Sequence, residues 1–260
     1  MKMIFKKIVQ LLKYIFNSPT LAHFTVGLVC SPTKSFCPIC QNGNRFSFIC
    51  SGRLRRPNSV CPVCGSFERH RFIWLCFENY WFKNGIDKTE ITLLHFAPES
   101  CFKQKFHRLF GAGYMTGDIT PGRAKKIVDI TNIGFPDESY HYIVCNHVLE
   151  HIPDDKRALS ELYRVLKKGG TAFLSVPIRG ETTDEDLSVV DPAERTKRFG
   201  QYDHVRYYGL DFKNRIENTG FSVSIFTPGD VIKNEKIRIL LGINNTNTME
   251  DNILFIATKK

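Results

Sequence analysis

From Ile91 onward, short apolar runs alternate with helical patterns, and this alternation constrains the fold more than any other feature of the chain. Parallel strands cannot be joined by a tight turn, so the rhythm strand, helix, strand reads as βαβ units around a mostly parallel sheet. The expected strands are Ile91–Phe96, Tyr114–Ile119, Ala124–Asp129, Tyr140–Asn146, Gly170–Pro177, Phe221–Phe226 and Ile253–Lys259. Between the fourth and fifth, Asp155 to Leu166 reads as the clearest helix. Its apolar positions Ala158, Leu159, Leu162, Val165 and Leu166 recur every three or four residues. Lys167-Lys168-Gly169-Gly170 is expected to close it, with cations at the negative end of the helix dipole and glycine supplying a left-handed cap. Residues 180–205 are polar, hold Pro192 and Gly200 and lack periodicity, as a lid or binding loop does. The α/β domain is expected over residues 88–260.

The segment before it is of another kind. Cys37-Pro38-Ile39-Cys40 and Cys61-Pro62-Val63-Cys64 form two C-x-x-C pairs separated by 20 residues. The two-residue gap lets both sulfurs of a turn reach one ion, and four thiolates close a tetrahedral shell, which describes structural zinc. Nine cysteines in all is an odd count in a long chain, which argues against a secreted disulfide scaffold. Cys50 is a possible substitute ligand without a partner at the right spacing, and Cys30, Cys76, Cys101 and Cys145 read as small buried residues. A metal-binding module with a following aromatic-rich helix, Glu68 to Phe82, is expected over residues 30–87.

The charge points to the same division. The formal net charge is +10, and residues 1–88 hold 13 Lys and Arg against 3 Asp and Glu, so the whole excess lies there. A basic third suits an anionic partner, nucleic acid included, and it also serves solubility. Glu68-Arg69-His70-Arg71 is either a contact for such a partner or a solvated first helical turn. Residues 1–29 read as a basic amphipathic helix and linker. Ile4, Phe5, Ile8, Leu11, Leu12, Ile15 and Phe16 recur at helical spacing with lysines between them. That run is too short and too charged to span a bilayer, and it lacks the unbroken apolar core of a secretion signal. A cytoplasmic chain is expected. Residues 1–17 either dock on the domain behind them or lie on an anionic membrane surface.

The stretch from Tyr114 to Gly170 resembles class I S-adenosylmethionine-dependent methyltransferases of the broad type 11 kind. Tyr114-Met115-Thr116-Gly117-Asp118-Ile119 is similar to their second strand, and Val128-Asp129-Ile130-Thr131 to the end of the third. Asn146-His147-Val148-Leu149-Glu150-His151-Ile152 resembles the segment closing the fourth strand, and Arg164-Val165-Leu166-Lys167-Lys168-Gly169-Gly170 the one before the fifth. The resemblance implies a Rossmann-like seven-stranded sheet with S-adenosylmethionine as cofactor. It implies that Asp118 accepts from the ribose hydroxyls and that Asp129 receives the adenine amino group, with Ile130 and Asn146 beside them. The loop after the first strand departs from the family pattern acid-x-Gly-x-Gly. Here His95 takes the acidic position, Ala97 the first glycine and Glu99 the second. Alanine replaces glycine freely where φ is negative, and Glu99 is a candidate to receive the cofactor's ammonium group.

Position after the fourth and fifth strands makes His147, His151 and His204 the candidate catalytic groups. An imidazole titrates near neutrality and can take a proton from an acceptor. His204 next to Asp203 also reads as a structural pair, and Arg206 as a holder of carboxylate or phosphate. His147 to His151 fits the H-x-x-E-H pattern of inverted zinc proteases as well. That motif needs a continuous helix, whereas here it straddles a strand end and a turn before Pro153. The leading expectation is methyl transfer to oxygen or nitrogen of a small molecule or glycan intermediate. The alternatives are an RNA methyltransferase, since a zinc module ahead of such a domain resembles one group of ribosomal-RNA guanine methyltransferases, and a zinc-dependent interaction protein on an inactive scaffold.

Overall fold

The computed structural model describes residues 34–44, 48–49, 58–84, 90–243 and 252–260. The amphipathic segment 1–29, Cys30 and Cys50 lie outside the described residues. The chain divides into two compact units. One comprises the described residues of Met1–Asp87 with Ser100–Lys105 and Pro228–Thr246; the other comprises those of Lys88–Glu99, Phe106–Thr227 and Asn247–Lys260.

In the first unit, β1 (Ser35–Cys37) and β2 (Asn42–Asn44) pair antiparallel around the first cysteine turn. After the second cysteine turn comes α1 (Glu68–Asn84), two residues longer than expected. Arg71 in its first turn is fully buried. Its guanidinium donates to the carbonyls of Ser59, Ser66, Leu241 and Gly242, and it stacks 3.9 Å from the centre of the Phe48 ring. Arg71 therefore ties the module to the segment carrying α6 (Pro228–Val231) and α7 (Glu235–Leu240) and is not available to a partner. His70 is also buried, its Nδ1 accepting from the Phe67 backbone N–H.

The second unit is a seven-stranded sheet. Its members are β3 (Leu93–Phe96), β4 (Tyr114–Asp118), β5 (Lys126–Ile127), β6 (Tyr140–Asn146), β7 (Leu166–Ser175), β10 (Phe221–Phe226) and β11 (Leu254–Lys259). The order is β10-β11-β7-β6-β3-β4-β5. Strands β5, β4, β3, β6 and β7 run parallel, and β11 pairs antiparallel with both β7 and β10. This is the Rossmann-like sheet of class I methyltransferases, and every expected strand is present. The third is shorter than expected, two residues at the sheet edge with both side chains exposed. Helix α2 (Ser100–Phe110) follows β3, α3 (Asp155–Val165) links β6 to β7, and α5 (Phe212–Glu217) precedes β10. The stripe Ala158, Leu159, Leu162 and Val165 is completely buried in the core with Leu94, Ile143, Ala172 and Leu174.

Two expectations need correction. The Lys167 to Gly170 run does not cap α3. The chain turns extended at Leu166 and starts β7 there, and a register shift opposite Tyr140 and Tyr142 absorbs the run, with Gly169 at φ 74°. The segment 180–205 is not structureless. It holds the short strand β8 (Asp184–Glu185), which pairs with β9 (Arg206–Tyr207), and helix α4 (Pro192–Phe199). Asp191 caps α4 by accepting from the Glu194 N–H, Pro192 opens it, and Gly200 closes it at φ 82°. Only Phe199 of this helix is buried, so it has no apolar period to read.

Candidate functional site

The sheet reverses direction of growth between β3 and β6: the chain winds outward through β4 and β5, then returns to β6. In open α/β sheets the crevice beyond the strand ends at such a reversal is where ligands bind. A cavity of about 450 Å³ opens there. Its walls come from the end of β3 (Phe96, Ala97), the end of β4 (Gly117 to Thr120), the stretch Val128 to Ile130, the turn after β6 (His147, Val148, His151, Ile152) and Gln201 to Asp203.

Four of the expected site residues, Ala97, Asp118, Asp129 and Ile130, share this cavity with His147 and His151. Asp118 accepts from the Thr120 N–H through Oδ1 (2.8 Å), and Asp129 accepts from the N–H and hydroxyl of Thr131 through Oδ1 (2.8 and 2.7 Å). One oxygen of each carboxylate thus fixes the side chain, and Oδ2 of each has no hydrogen bond among the described residues. A pair of oriented carboxylates with a spare oxygen suits vicinal hydroxyls and an amino group.

His95, Glu99 and Asn146 stand behind the cavity wall instead. His95 is completely buried, with Nδ1 2.9 Å from the Tyr114 hydroxyl and Nε2 2.5 Å from Glu99 Oε2. Glu99 Oε1 accepts from Asn146 Nδ2, whose own Oδ1 accepts from the Ser175 hydroxyl. The chain Tyr114, His95, Glu99, Asn146, Ser175 links four neighbouring strands, β4, β3, β6 and β7. Both Glu99 oxygens are engaged, so an ammonium group would have to share them. Ala97 lies at φ 42°, in the left-handed region that glycine enters freely and alanine enters at a cost of about 1–2 kcal/mol. The alanine replaces glycine here at a positive φ, against the expectation of a negative one. The Ala97 N–H donates to the Gly117 carbonyl (2.9 Å), and the relay flanks the loop through His95 and Glu99.

His147, the first residue after β6, also sits at positive φ (52°). Two left-handed non-glycine residues facing one cavity mark it as a place where the fold overrides local preference, as functional sites do. His147 Nδ1 is 3.2 Å from Glu150 Oε1, and its Nε2 has no hydrogen-bond partner among the described residues. The Glu150 side chain is 1% exposed and pairs with His147 through Oε1. Burial pushes this carboxyl up, but His147 and then His151 outweigh burial and hold it below the usual range. His151 Nδ1 lies 3.3 Å from Asp203 Oδ2. His204 is buried, outside the cavity lining, with its ring centre 4.7 Å from that of His151 and its Nδ1 donating to the Phe199 carbonyl (2.9 Å). Burial pushes the His204 imidazole below its usual value.

Arg206 is a structural residue. It is completely buried and donates to the carbonyls of Leu149, Ile152 and Pro153 while pairing with Glu185. It therefore clamps the turn that carries Glu150 and His151. The sequence reading missed Glu150 and this clamp. The signal for Glu150 was its place in an otherwise apolar turn, Val148-Leu149-Glu150, where a carboxylate needs a reason to be buried.

In the first unit the four expected metal ligands come together. Cys37 Sγ is 3.6 Å from Cys64 Sγ, and Cys40 Sγ is 3.8 Å from Cys61 Sγ. Thiolates held tetrahedrally at about 2.3 Å from zinc stand about 3.8 Å apart, so the spacing fits the ion. Each pair sits on the same turn: Gln41 N–H donates to Cys37 O and Gly65 N–H to Cys61 O, with Gln41 at φ 60° and Gly65 at φ 69°. Ser66 Oγ lies 3.4 and 3.2 Å from the sulfurs of Cys37 and Cys64. Hydrogen bonding from Cys37, then Cys40 and Cys61, lowers the Cys64 thiol below its ordinary value.

Residues 118–174 match a family model described as a methyltransferase domain. A 105-residue stretch, 40% of this chain, is 30% identical to arsenite methyltransferase of Mus musculus. The match spans about a quarter of that relative's length (26%). Among solved structures, an S-adenosylmethionine dependent methyltransferase from Mesorhizobium loti superposes with a TM-score of 0.50 at 12% identity, covering 70% of this chain and 97% of the other. That likeness is one of fold. No helix among the described residues is long and apolar enough to cross a membrane.

Proposed function

We propose that this chain is a class I S-adenosylmethionine-dependent methyltransferase that binds its cofactor in the cavity at the β3/β6 reversal and methylates an oxygen or nitrogen of a small acceptor. The observation that carries the reading is that Asp118, Asp129 and His147 line one cavity. When bound, the cofactor supplies an activated methyl group on a sulfonium. The protein's task is then mostly alignment, which is worth several orders of magnitude in rate. Asp118 and Asp129 would hold the nucleoside, with Ile130 against its base. His147 would take the acceptor's proton, oriented by Glu150 behind it, and His151 would line the acceptor side. A small acceptor agrees with the modest cavity and with the mouse relative, whose name states arsenite as its substrate.

We further propose that Cys37, Cys40, Cys61 and Cys64 hold one structural zinc, supported by the closeness of the four sulfurs, all within 4.8 Å of one another, and by the matched turns. A closed four-thiolate shell leaves no position for substrate, so this ion would act in folding and not in the methyl transfer.

The reading is tested by incubating the zinc-loaded chain with methyl-labelled S-adenosylmethionine and a panel of small hydroxyl and amine acceptors, following S-adenosylhomocysteine. Turnover is expected on at least one acceptor class, and replacing His147 with Ala should lower it by about 10²–10⁴-fold with cofactor affinity nearly unchanged. Turnover on structured RNA alone, with salt-dependent binding, would replace the small-acceptor reading with the RNA one. No S-adenosylhomocysteine from any acceptor would contradict both.

A further inference from the structure

The cavity at the β3/β6 reversal has its charges unevenly placed. Strand β3 lies between β6 and β4 in the sheet, so the turn after β6 and the segment after β4 reach the cavity from either side of it. Among the described lining residues the only lysine or arginine is Arg123, which belongs to the connection from β4 to β5 with Ile119 and Thr120. The lining that comes from the turn after β6 and from Gln201 to Asp203 holds no fixed cation.

Arg206, the residue expected to hold a carboxylate or phosphate, does not supply one. Its guanidinium is spent on three carbonyls, and its charge sits in a balanced group in which Arg206 and Arg215 face Asp155 and Glu185. What this part of the lining presents is a carboxylate and an aromatic ring. Asp203 Oδ1 accepts from Gln201 Nε2 at 2.8 Å, and its Oδ2 lies 3.3 Å from His151 Nδ1. The carboxylate is therefore oriented from two directions, and each oxygen keeps a lone pair for a ligand. Its side chain is 40% exposed, and Tyr202 beside it is 61% exposed. A second negative charge stands behind: burial raises the buried Glu150 carboxyl, but its pairing with His147 outweighs burial and holds it below the usual range.

We infer that the acceptor is an amine, held in its ammonium form by Asp203 and the Tyr202 ring, and that the methyl group goes to its nitrogen. A carboxylate and an aromatic face are the two groups that recognise an ammonium. A phosphate or carboxylate acceptor would meet Asp203 and Glu150 as like charges, with no cation beside them to offset the repulsion. The chemistry favours the same class. The bound ammonium gives one proton to His147 and becomes a neutral amine. Its nitrogen lone pair then forms the bond to the methyl carbon, while the carbon–sulfur bond breaks and its electron pair stays on sulfur. Positive charge therefore appears on the nitrogen, where the Asp203 carboxylate stabilises it as it develops. An oxyanion acceptor would gain nothing from that carboxylate. The methylation step rests on the methyltransferase reading; the binding of the amine does not.

The test titrates the full zinc-loaded chain by calorimetry, with and without S-adenosylhomocysteine, using butylamine and benzylamine and the alcohols and carboxylates of the same skeletons. At least one amine should bind about tenfold or more tighter than its alcohol and its carboxylate, as a hydrogen bond between charged groups implies. Asp203→Asn should abolish that preference and Asp203→Lys should turn it toward the carboxylate, with circular dichroism and zinc content unchanged. With methyl-labelled S-adenosylmethionine, the label should appear on nitrogen, and Asp203→Asn should raise the KM for the amine about tenfold or more while kcat changes less. Alcohols or carboxylates that bind as well as the amines, no binding by any amine, or a folded Asp203→Asn variant that binds amines like wild type would overturn the inference. An amine preference that Asp203→Asn removes, without any S-adenosylhomocysteine production, would leave the amine site standing and remove the methyltransferase reading. Turnover on alcohols or carboxylates alone would do the reverse.

Discussion

The chain holds two clusters of side chains that meet at close range, and they are built by opposite means. The four thiols stand on two short turns of the same shape, each made by a C-x-x-C pair and a left-handed residue behind it. Glu150, His151 and His204 have no such local frame. They meet because Arg206 and Val205 bind one segment to the turn of another, within the sheet domain. A cluster made by local turns should depend on its own ligands and on the ion. A cluster made by tertiary buttressing should fail when a residue outside it is removed.

The largest effect is expected at the thiols. Replacing Cys61 with Ser should abolish stoichiometric zinc and unfold the first unit, because a structural zinc contributes on the order of 10 kcal/mol to a small module. Metal analysis with near-ultraviolet dichroism reads both. Full zinc content in the variant would break the comparison from its local side.

Next comes Arg206→Met. The guanidinium is completely buried among three carbonyls and Glu185, and breaking such an arrangement costs about 3–5 kcal/mol. Chemical denaturation should show that loss in the second unit, while zinc content stays at the wild-type level. A change below about 1 kcal/mol would mean that the turn after β6 holds itself, and that the contrast drawn above is wrong.

A third prediction concerns pH. Hydrogen bonds from Arg164, opposed by burial and helped by the Ile133 N–H, lower the Glu161 carboxyl below its ordinary value. A carboxyl lowered on folding stabilises above its unfolded pKa, and that contribution fades as the pH falls through the folded one. Glu161→Gln should therefore be less stable than wild type near neutrality and converge with it in acid. Melting curves across that range check it, and a constant gap would contradict the assignment.

The smallest effect is expected at Ala97. Replacing it with Gly relieves the positive φ but adds freedom to the unfolded chain, so stability should change by no more than about 1 kcal/mol. Thermal unfolding measures this, and a large loss would show that the Ala97 methyl packs in a way its conformation does not indicate.

Much of this was legible in the sequence, for reasons that differ by residue. The strands of the sheet announced themselves as apolar runs because the parallel core is buried on both faces, and α3 did so through its completely buried stripe. The cysteine spacing gave the thiol cluster because its geometry is local. Helix α4 was not legible, since one buried side chain makes no period. Arg206 read as a ligand holder because nothing in its neighbours indicates that three carbonyls surround it. The His95 relay was equally hidden. His95 and Glu99 are four residues apart, but Tyr114, Asn146 and Ser175 reach them only through the strand order of the folded sheet.

The central claim is that Asp118 holds the cofactor's nucleoside in the cavity at the β3/β6 reversal. Calorimetric titration with S-adenosylmethionine tests it most directly, comparing the wild type with Asp118→Ala. Saturable one-to-one binding is expected for the wild type, with a loss of about 1.5–3 kcal/mol in the variant, the worth of hydrogen bonds to a charged group. No binding by a folded, zinc-loaded wild type, or equal binding by the two proteins, would contradict it.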